Sequence, residues 1–184
     1  LLYTDPVTGE KPQKLEEIPF YKYQVRVLLG NNARIDPENI EDYIALEGYK
    51  ALAKALTQMN PEQVMEEVKK ANLRGRGGGG FPAGVKWETT RNAPGEPKYV
   101  IVNCDQGDPG AFMNRAQMEG NPHSVLEGLI IGAYAIGAGE GFIYVREEYP
   151  QALESISKAI GQAEEYGFLG EDIMGSGFSF KVRV

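Results

Sequence analysis

The stretch KYVIVNCDQGDPG, residues 98–110, decides the fold class, because it reads as a short apolar strand followed by a polar loop rich in turn residues. We predict a strand over Tyr99–Asn103, a helix from Pro122 to about Gly137 and a strand over Phe142–Arg146. A helix from Pro150 to about Tyr166 and a strand over Phe178–Val184 follow. This alternation is typical of βαβ units with right-handed crossovers. The sequence therefore predicts an α/β fold, a partial Rossmann-like parallel sheet flanked by helices.

Upstream of the sheet, the sequence predicts an N-terminal arm and helices. Asp36-Pro37 is typical of a helix start, and we expect a helix to about Gly48 and a second to Leu56. Asn60-Pro61-Glu62-Gln63 has the pattern of a capping box. We divide the chain into an extended arm or linker (1–35), a helical segment (36–72) and the N-terminal part of an α/β domain (73–184). Because no covering helix follows the last strand, we expect that domain to be incomplete.

The bulk composition limits the classes of function. The chain has 184 residues, which suits one well-buried domain with a short arm. The net charge of -7 disfavours nucleic acid as a partner. We find no apolar run of membrane-spanning length and no signal-peptide layout, and we expect a cytoplasmic protein. Cys104 is the only cysteine, so we expect no internal disulfide and no metal site built on cysteines in this chain.

The stretch LRGRGGGGFPAGVKW, Leu73–Trp87, is the first candidate site. It contains GxGxxG, but the dinucleotide fingerprint needs a strand before it and a helix after it, whereas here a helix precedes and Phe81-Pro82 follows. A Walker loop fails because the GK[ST] ending is missing. Backbone N–H groups without Cβ obstruction, with Arg74, Arg76 and Lys86 nearby, could hold phosphate and ribityl oxygens. The alternative is a flexible surface loop.

The second candidate site is the loop Asn103–Gly110, which follows the first strand where open α/β sheets bind their ligands. Its Asn and Asp side chains could hydrogen-bond a flavin, and an ordinary Asx turn is the alternative. We expect Cys104 to be a small buried side chain. His123 has no Ser or Cys partner for a triad, and we expect it to serve structure or surface solvation. No catalytic residue and no metal ligand is assigned.

Several motifs in a fixed order carry a resemblance to a known family. They are LRGRGGGGFPAGVKW, NCDQGDPGAF with the overlapping FMNR, NPHSVLEG, GFIYVREEYP and GSGFSF. Together they resemble, over nearly all of the chain, the family of the flavoprotein (FMN/NADH-binding) subunit of complex I NADH dehydrogenase. The arm LLYTDPVTGEKP, the helix pair IEDYIALEGYKALAKAL and GDPGAFMNR most resemble the beta subunit of cytoplasmic electron-bifurcating [FeFe] hydrogenases.

The resemblance implies FMN in the glycine loop, NAD(H) or NADP(H) as the substrate, and iron–sulfur clusters that take single electrons. Position by position, it assigns to the first flavin loop Gly75, Arg76, Gly77 and Lys86. To the second flavin loop it assigns Asn103, Asp105, Gln106 and Gly107. Phe81, Lys86 and Asp108 match the nicotinamide nucleotide side. We expect a Val side chain at Gly77 to block the backbone approach and to be strained at positive φ.

The sequence also departs from the family. Gln106 stands where relatives usually have Glu, so a charge near the flavin is lost. Thr89 stands where relatives commonly have an aromatic residue. A further flavin loop resembling GAGAYICGEETAL and a cluster-binding domain lie outside these residues, and the clusters are expected there or in partner subunits. The implied partners are other subunits of a hydrogenase or dehydrogenase complex, with ferredoxin as a candidate.

Several other functions remain open. They are a flavoprotein component of complex I, an NAD-dependent formate dehydrogenase, a structural subunit that has lost its cofactor, and a nucleotide sensor without redox chemistry.

Overall fold

The structure, a computed structural model, describes residues 3–184, which divide after Gly30 into two compact units. In the first unit, a 3₁₀ helix spans Leu15–Glu17 and a short helix, α1, spans Pro19–Lys22. The sequence predicted no helix here. Pro19 at the first helical position, with its fixed φ, favours the single turn that the structure shows.

The second unit contains seven α-helices and a three-stranded sheet within the described residues. The helices are α2 (Ile40–Ala45), α3 (Lys50–Gln58), α4 (Pro61–Lys70), α5 (Ala83–Asn92), α6 (Met113–Gly120), α7 (Pro122–Ile136) and α8 (Pro150–Glu165). The strands are β1 (Tyr99–Cys104), β2 (Glu140–Val145) and β3 (Lys181–Arg183). All pairings are parallel in the order β1-β2-β3, with Tyr99 opposite Glu140 and Glu140 opposite Lys181. The predicted α/β class and parallel sheet are confirmed.

Several elements differ from the prediction. Strand β2 begins at Glu140, two residues earlier than expected, and α2 ends at Ala45 and not near Gly48. The helix predicted from Asp36 begins at Ile40, because Asp36 accepts from Glu38 in a preceding turn and Asn39 is the N-cap. The last strand is three residues long, because Phe180 pairs antiparallel with Gly170 before β3 begins. A helix, α5, does follow Phe81-Pro82, contrary to the expectation.

The helices cover one face of the sheet. Val100, Val102 and Val182 pack against the main core together with fully buried residues of α7 and α8. On the opposite face, Tyr99 is 48 % exposed, Ile101 65 % and Tyr144 61 %. Consecutive strand order with crossovers of one hand places both connections on the same side of a sheet. The topology therefore accounts for one covered face and one open face.

Close packing fixes the helix that follows the glycine loop. A Cβ on Gly84 of α5 would lie 2.9 Å from the backbone N and 3.2 Å from Cα of Lys69 in α4. The ring of Trp87, also on α5, lies against α7, where a Cβ on Gly132 would be 3.3 Å from the indole. Helix α5 is thus held between α4 and α7, and the end of the glycine loop is anchored to the core.

A buried polar cluster joins α2 and α3 to α7. The Glu127 carboxylate accepts hydrogen bonds from the Tyr43 hydroxyl (2.6 Å) and from the backbone N–H of Tyr49 and Leu52 (3.0 Å each). One turn earlier, His123 Nδ1 lies 2.9 Å from the Tyr49 hydroxyl. Buried donors and acceptors are costly when unpaired, so these bonds fix the helical segment on the sheet domain.

No helix among the described residues is both long and apolar enough to cross a membrane.

Candidate functional site

The glycine loop is a closed backbone loop between α4 and α5. Its base is the antiparallel bridge between Arg74 and Pro82, with hydrogen bonds from Gly75 N–H to Phe81 O (2.9 Å) and from Ala83 N–H to Leu73 O (2.8 Å). The Arg74 guanidinium donates to Gly80 O (3.1 Å) across the loop. Within residues 3–184, no acceptor takes a hydrogen bond from the N–H groups of residues 76–80. The loop therefore offers a row of free backbone donors.

The glycines of this loop divide into two kinds. Gly78 (φ +103°) and Gly80 (φ +60°) adopt left-handed backbone conformations that other residues rarely take. Gly77 does not, so the expectation of positive φ at Gly77 is wrong. A Cβ on Gly77 or Gly79 would meet no atom within 4 Å. Neither backbone conformation nor packing within the described chain requires glycine at these two positions.

The second loop leaves the carboxyl end of β1 and is held by its own side chains. Asn103 Oδ1 accepts from Asp105 N–H (3.0 Å), which is the Asx turn that the sequence left open as the alternative. Gln106 Oε1 accepts from Asn114 N–H (2.8 Å) at the start of α6, and the Tyr149 hydroxyl donates to Gln106 O (2.9 Å). The Asx turn and these contacts occur together, so the turn does not argue against a binding role.

The two loops meet at one cavity of about 670 Å³, within the range of roughly 300–1,000 Å³ of small-molecule sites. Of the predicted site residues, five line it: Arg76, Gly77, Asn103, Gln106 and Asp108. The other five do not: Gly75, Phe81, Lys86, Asp105 and Gly107. Three lining residues were not predicted from sequence: Gly78, Met113 and Asn114. The FMNR motif already contained the last two, but only the tertiary fold shows that α6 begins at the cavity wall.

Two residues assigned to the nucleotide side stand apart from this cavity. Phe81 is 57 % exposed beside the bridge that closes the loop. Lys86 lies exposed on the first turns of α5. Thr89, one turn further along α5, donates its hydroxyl to its own helix at Val85 O (2.9 Å). The assignment of Phe81 and Lys86 to the nicotinamide side stays a prediction.

Charged groups cluster around Tyr149, next to the second loop. Arg146, just past β2, forms a bidentate pair with Glu148, which lowers the pKa of that carboxyl to about 2. The same pairing raises the pKa of Arg146. The guanidinium groups of Arg146 and Arg115 each lie 5.5 Å from the centre of the Tyr149 ring. A Cβ on Gly107 would lie 3.1 Å from the Arg146 guanidinium, so this loop passes close to the cluster.

The other candidates from the sequence are structural. Cys104 is 5 % exposed, as expected, and burial raises the pKa of its thiol to about 11. His123 is 1 % exposed, so it has a structural role and not surface solvation. Among the described residues, no group of three or more His, Cys, Asp or Glu side chains is arranged to hold a metal ion.

A glycine loop and a polar loop meet at the carboxyl end of the first strand, which is where parallel sheets of the α/β class bind their ligands. The model of the Nuo51 FMN-binding domain matches residues 68–184. The chain therefore belongs to the Nuo51 FMN-binding domain family.

Individual relatives agree with this family. The NADP-reducing hydrogenase subunit HndC of Solidesulfovibrio fructosivorans is 53% identical over 163 residues, covering 89% of this chain and 33% of the relative. An NADH-quinone oxidoreductase subunit of Rhizobium meliloti is 48% identical over 86% of this chain and 38% of its own length. An NAD+-reducing [NiFe]-hydrogenase structure in the H2-reduced state aligns with a TM-score of 0.62 at 27% identity, over 86% of this chain and 25% of that chain. The chain thus spans about a third of the length of these curated relatives.

Proposed function

We propose that this chain is the FMN-binding part of an NAD(P)H-linked oxidoreductase subunit that works within a multisubunit hydrogenase or dehydrogenase complex. The family of FMN-binding domains supports the cofactor, and relatives named as NADH-quinone oxidoreductase and NADP-reducing hydrogenase subunits support the substrate and the assembly. A flavin held here would supply hydride exchange with NAD(P)H and transfer of single electrons to iron–sulfur clusters.

One observation of this structure carries the proposal. The glycine loop presents free N–H groups over residues 76–80, and Gly77 and Gly79 have no reason within the described fold to lack a side chain. Glycine is the residue that lets a ligand approach backbone closely, and successive N–H groups form concave anion sites. The residues present therefore fit a phosphate-bearing cofactor that contacts the loop backbone.

The chain's residues divide the binding task. The N–H groups of the loop would donate to phosphate oxygens, and Arg76 would supply positive charge beside them. Across the cavity, Asn103, Gln106 and Asn114 offer amide groups to the polar edge of a ring or to ribityl hydroxyls. Met113 lies in the same wall and offers an apolar contact. This combination suits a cofactor with an anionic tail and a polar, planar ring.

The first prediction tests the glycine loop by placing a side chain next to its free N–H groups. Gly77→Val should remove flavin from the purified native-length protein, because a branched side chain would occupy the space next to the free N–H groups. Stability should change by no more than about 0.5 kcal/mol, since the side chain would be exposed and meet nothing in the fold. Flavin absorbance and urea unfolding measure the two effects.

Gly139→Val is the matched control, because Gly139 also has open space around a Cβ and precedes β2 at the opposite end of the sheet. It should keep its flavin. Normal flavin content in Gly77→Val would refute the loop as the cofactor site. A wild-type protein that is folded, colourless and unable to reduce a dye with NAD(P)H would refute the function itself.

The finer part of the proposal is a bifurcating hydrogenase assembly, with ferredoxin as the second electron partner. The motif GDPGAFMNR and the HndC relative support a hydrogenase complex. The test supplies H2 to the purified complex and measures whether ferredoxin and NAD+ or NADP+ are reduced together, one electron pair going to ferredoxin for each nucleotide reduced. Reduction of the nucleotide at full rate without ferredoxin would refute bifurcation.

A further inference from the structure

Tyr149 connects the turn after β2 to the second loop of the cavity. It is half-buried at the start of α8, and its hydroxyl donates to Gln106 O over 2.9 Å. The guanidinium groups of Arg115 and Arg146 lie over its ring, and each is paired with a carboxylate, Glu119 and Glu148 respectively. The ring is therefore flanked by two ion-paired guanidinium groups, and its hydroxyl donates to one backbone carbonyl.

Further hydrogen bonds link Gln106 to the other polar residues of the cavity. The Gln106 side chain lines the cavity, and its Oε1 is occupied by Asn114 N–H at 2.8 Å. Asn114 in turn donates its side-chain amide to Asn103 O at 3.3 Å. Asn114 thus links the two other polar cavity residues, Gln106 and Asn103, and the Tyr149 hydroxyl bonds the backbone of Gln106. Arg146, which lies over the Tyr149 ring, also approaches this loop at Gly107.

On the basis of the proposed cofactor site, we propose that Tyr149 is a positioning residue. Its hydroxyl bond to the Gln106 carbonyl fixes the position of the Gln106 loop relative to the flavin. Tyr149 does not line the cavity and acts through Gln106. Because Gln106 Oε1 already accepts from Asn114 N–H of α6, the Gln106 amide nitrogen is the group left to donate into the site. The direction of that amide depends on the position of the Gln106 backbone, which the Tyr149 hydroxyl holds.

The fold supplies a matched control for this hydroxyl. Tyr134 also donates to a backbone carbonyl, Met59 O, over 2.9 Å in a half-buried setting, and neither residue lines the cavity. Tyr149→Phe and Tyr134→Phe each remove one tyrosine-to-carbonyl bond of equal length. Comparable losses of stability are expected from both, so the comparison separates a general structural cost from an effect on the site.

The experiment titrates FMN into the flavin-depleted native-length protein and follows quenching of flavin fluorescence. Tyr149→Phe should raise the FMN dissociation constant roughly threefold to tenfold, the worth of one hydrogen bond, while Tyr134→Phe stays within about twofold of wild type. In a Gln106→Ala background, the added Tyr149→Phe change should cost less than about twofold, because the side chain that Tyr149 positions is absent.

Two outcomes would overturn the positioning role. One is a Tyr149→Phe protein that binds FMN like the Tyr134→Phe control. The other is a full and additive loss in the Gln106→Ala background. Failure of wild type to bind FMN would instead refute the proposed function, so the two failures are distinguishable.

Discussion

His123, the only histidine of the chain, is held neutral by its surroundings. Gln162 donates its amide to Glu38 O (2.7 Å), which leaves its Oε1 to accept from His123 Nε2–H (3.1 Å). His123 Nδ1 is therefore the acceptor for the Tyr49 hydroxyl. Burial lowers the pKa of His123, and the bond to Gln162 opposes this more weakly.

This histidine predicts how stability depends on pH. The unfolded chain takes up a proton near pH 6.5 while the folded protein resists it, so the free energy of unfolding should fall as the pH drops from 7 to 5.5. The slope is at most about 1.4 kcal/mol per pH unit. Urea unfolding of wild type and His123→Gln over this range measures it. An equal slope in both proteins would contradict the assignment.

At the residue scale, sequence predicted side-chain chemistry better than side-chain position. The capping box of Asn60 and Gln63 is present as predicted, because it depends only on residues three apart. The loop that carries Asn103, Gln106 and Asp108 was predicted from its place after a strand, and the family resemblance assigned the three residues. The cavity brings them together. Asn114 was missed as a site residue, because its approach depends on how the chain returns after residue 110.

At the scale of elements, the crossing of α4 and α5 positions the glycine loop. Lys69 of α4 pairs with Glu88 of α5 (2.7 Å), and Gly84 allows the two backbones to approach. Sequence alone did not predict α5, because its amphipathic pattern is weak and a proline precedes it. Tertiary contacts with α4 and α7 stabilise it instead. Helices α7 and α8, with strong apolar patterns and N-terminal prolines, were predicted to within about a residue of their starts and ends.

Gly84→Ala should destabilise the protein by about 1–3 kcal/mol, because the added methyl group would press on the backbone of Lys69, which cannot rotate away. The control is Gly128→Ala on α7, where a Cβ meets nothing and the change should stabilise the helix by about 0.5–1 kcal/mol. Thermal and urea unfolding compare them. Equal effects of the two changes would refute the close crossing.

At the scale of the whole molecule, the open face of the sheet is the largest departure from an ordinary parallel sheet. Such sheets are normally covered on both faces, yet Tyr99, Ile101 and Tyr144 are about half or more exposed. Sequence predicted the class of the sheet and its flanking helices. It did not show that both crossovers lie on one side, because apolar strands read alike whether one face or both are covered.

From this open face we predict how the 184-residue chain associates when it is studied on its own. It should self-associate with rising concentration and bind a hydrophobic dye, since contiguous exposed apolar surface favours association. The double change Ile101→Thr and Tyr144→Thr should reduce both effects. Leu153→Thr, which removes a 44 % exposed side chain on α8, should not. Light scattering and dye fluorescence measure this, and equal association of all three proteins would exclude the sheet face as the cause.

Trp87 is the only tryptophan in the chain. It lies on α5, the helix that follows the glycine loop, and its ring packs against α7. Its position gives the protein a built-in optical probe. Indole emission overlaps the near-ultraviolet absorption of an oxidised flavin, so a cofactor held by residues 76–78 would quench it by energy transfer. Displacement of α5 from α7 would instead expose the indole to water and shift its emission to the red. One emission spectrum could thus report cofactor occupancy and the integrity of the supporting helix as separate signals.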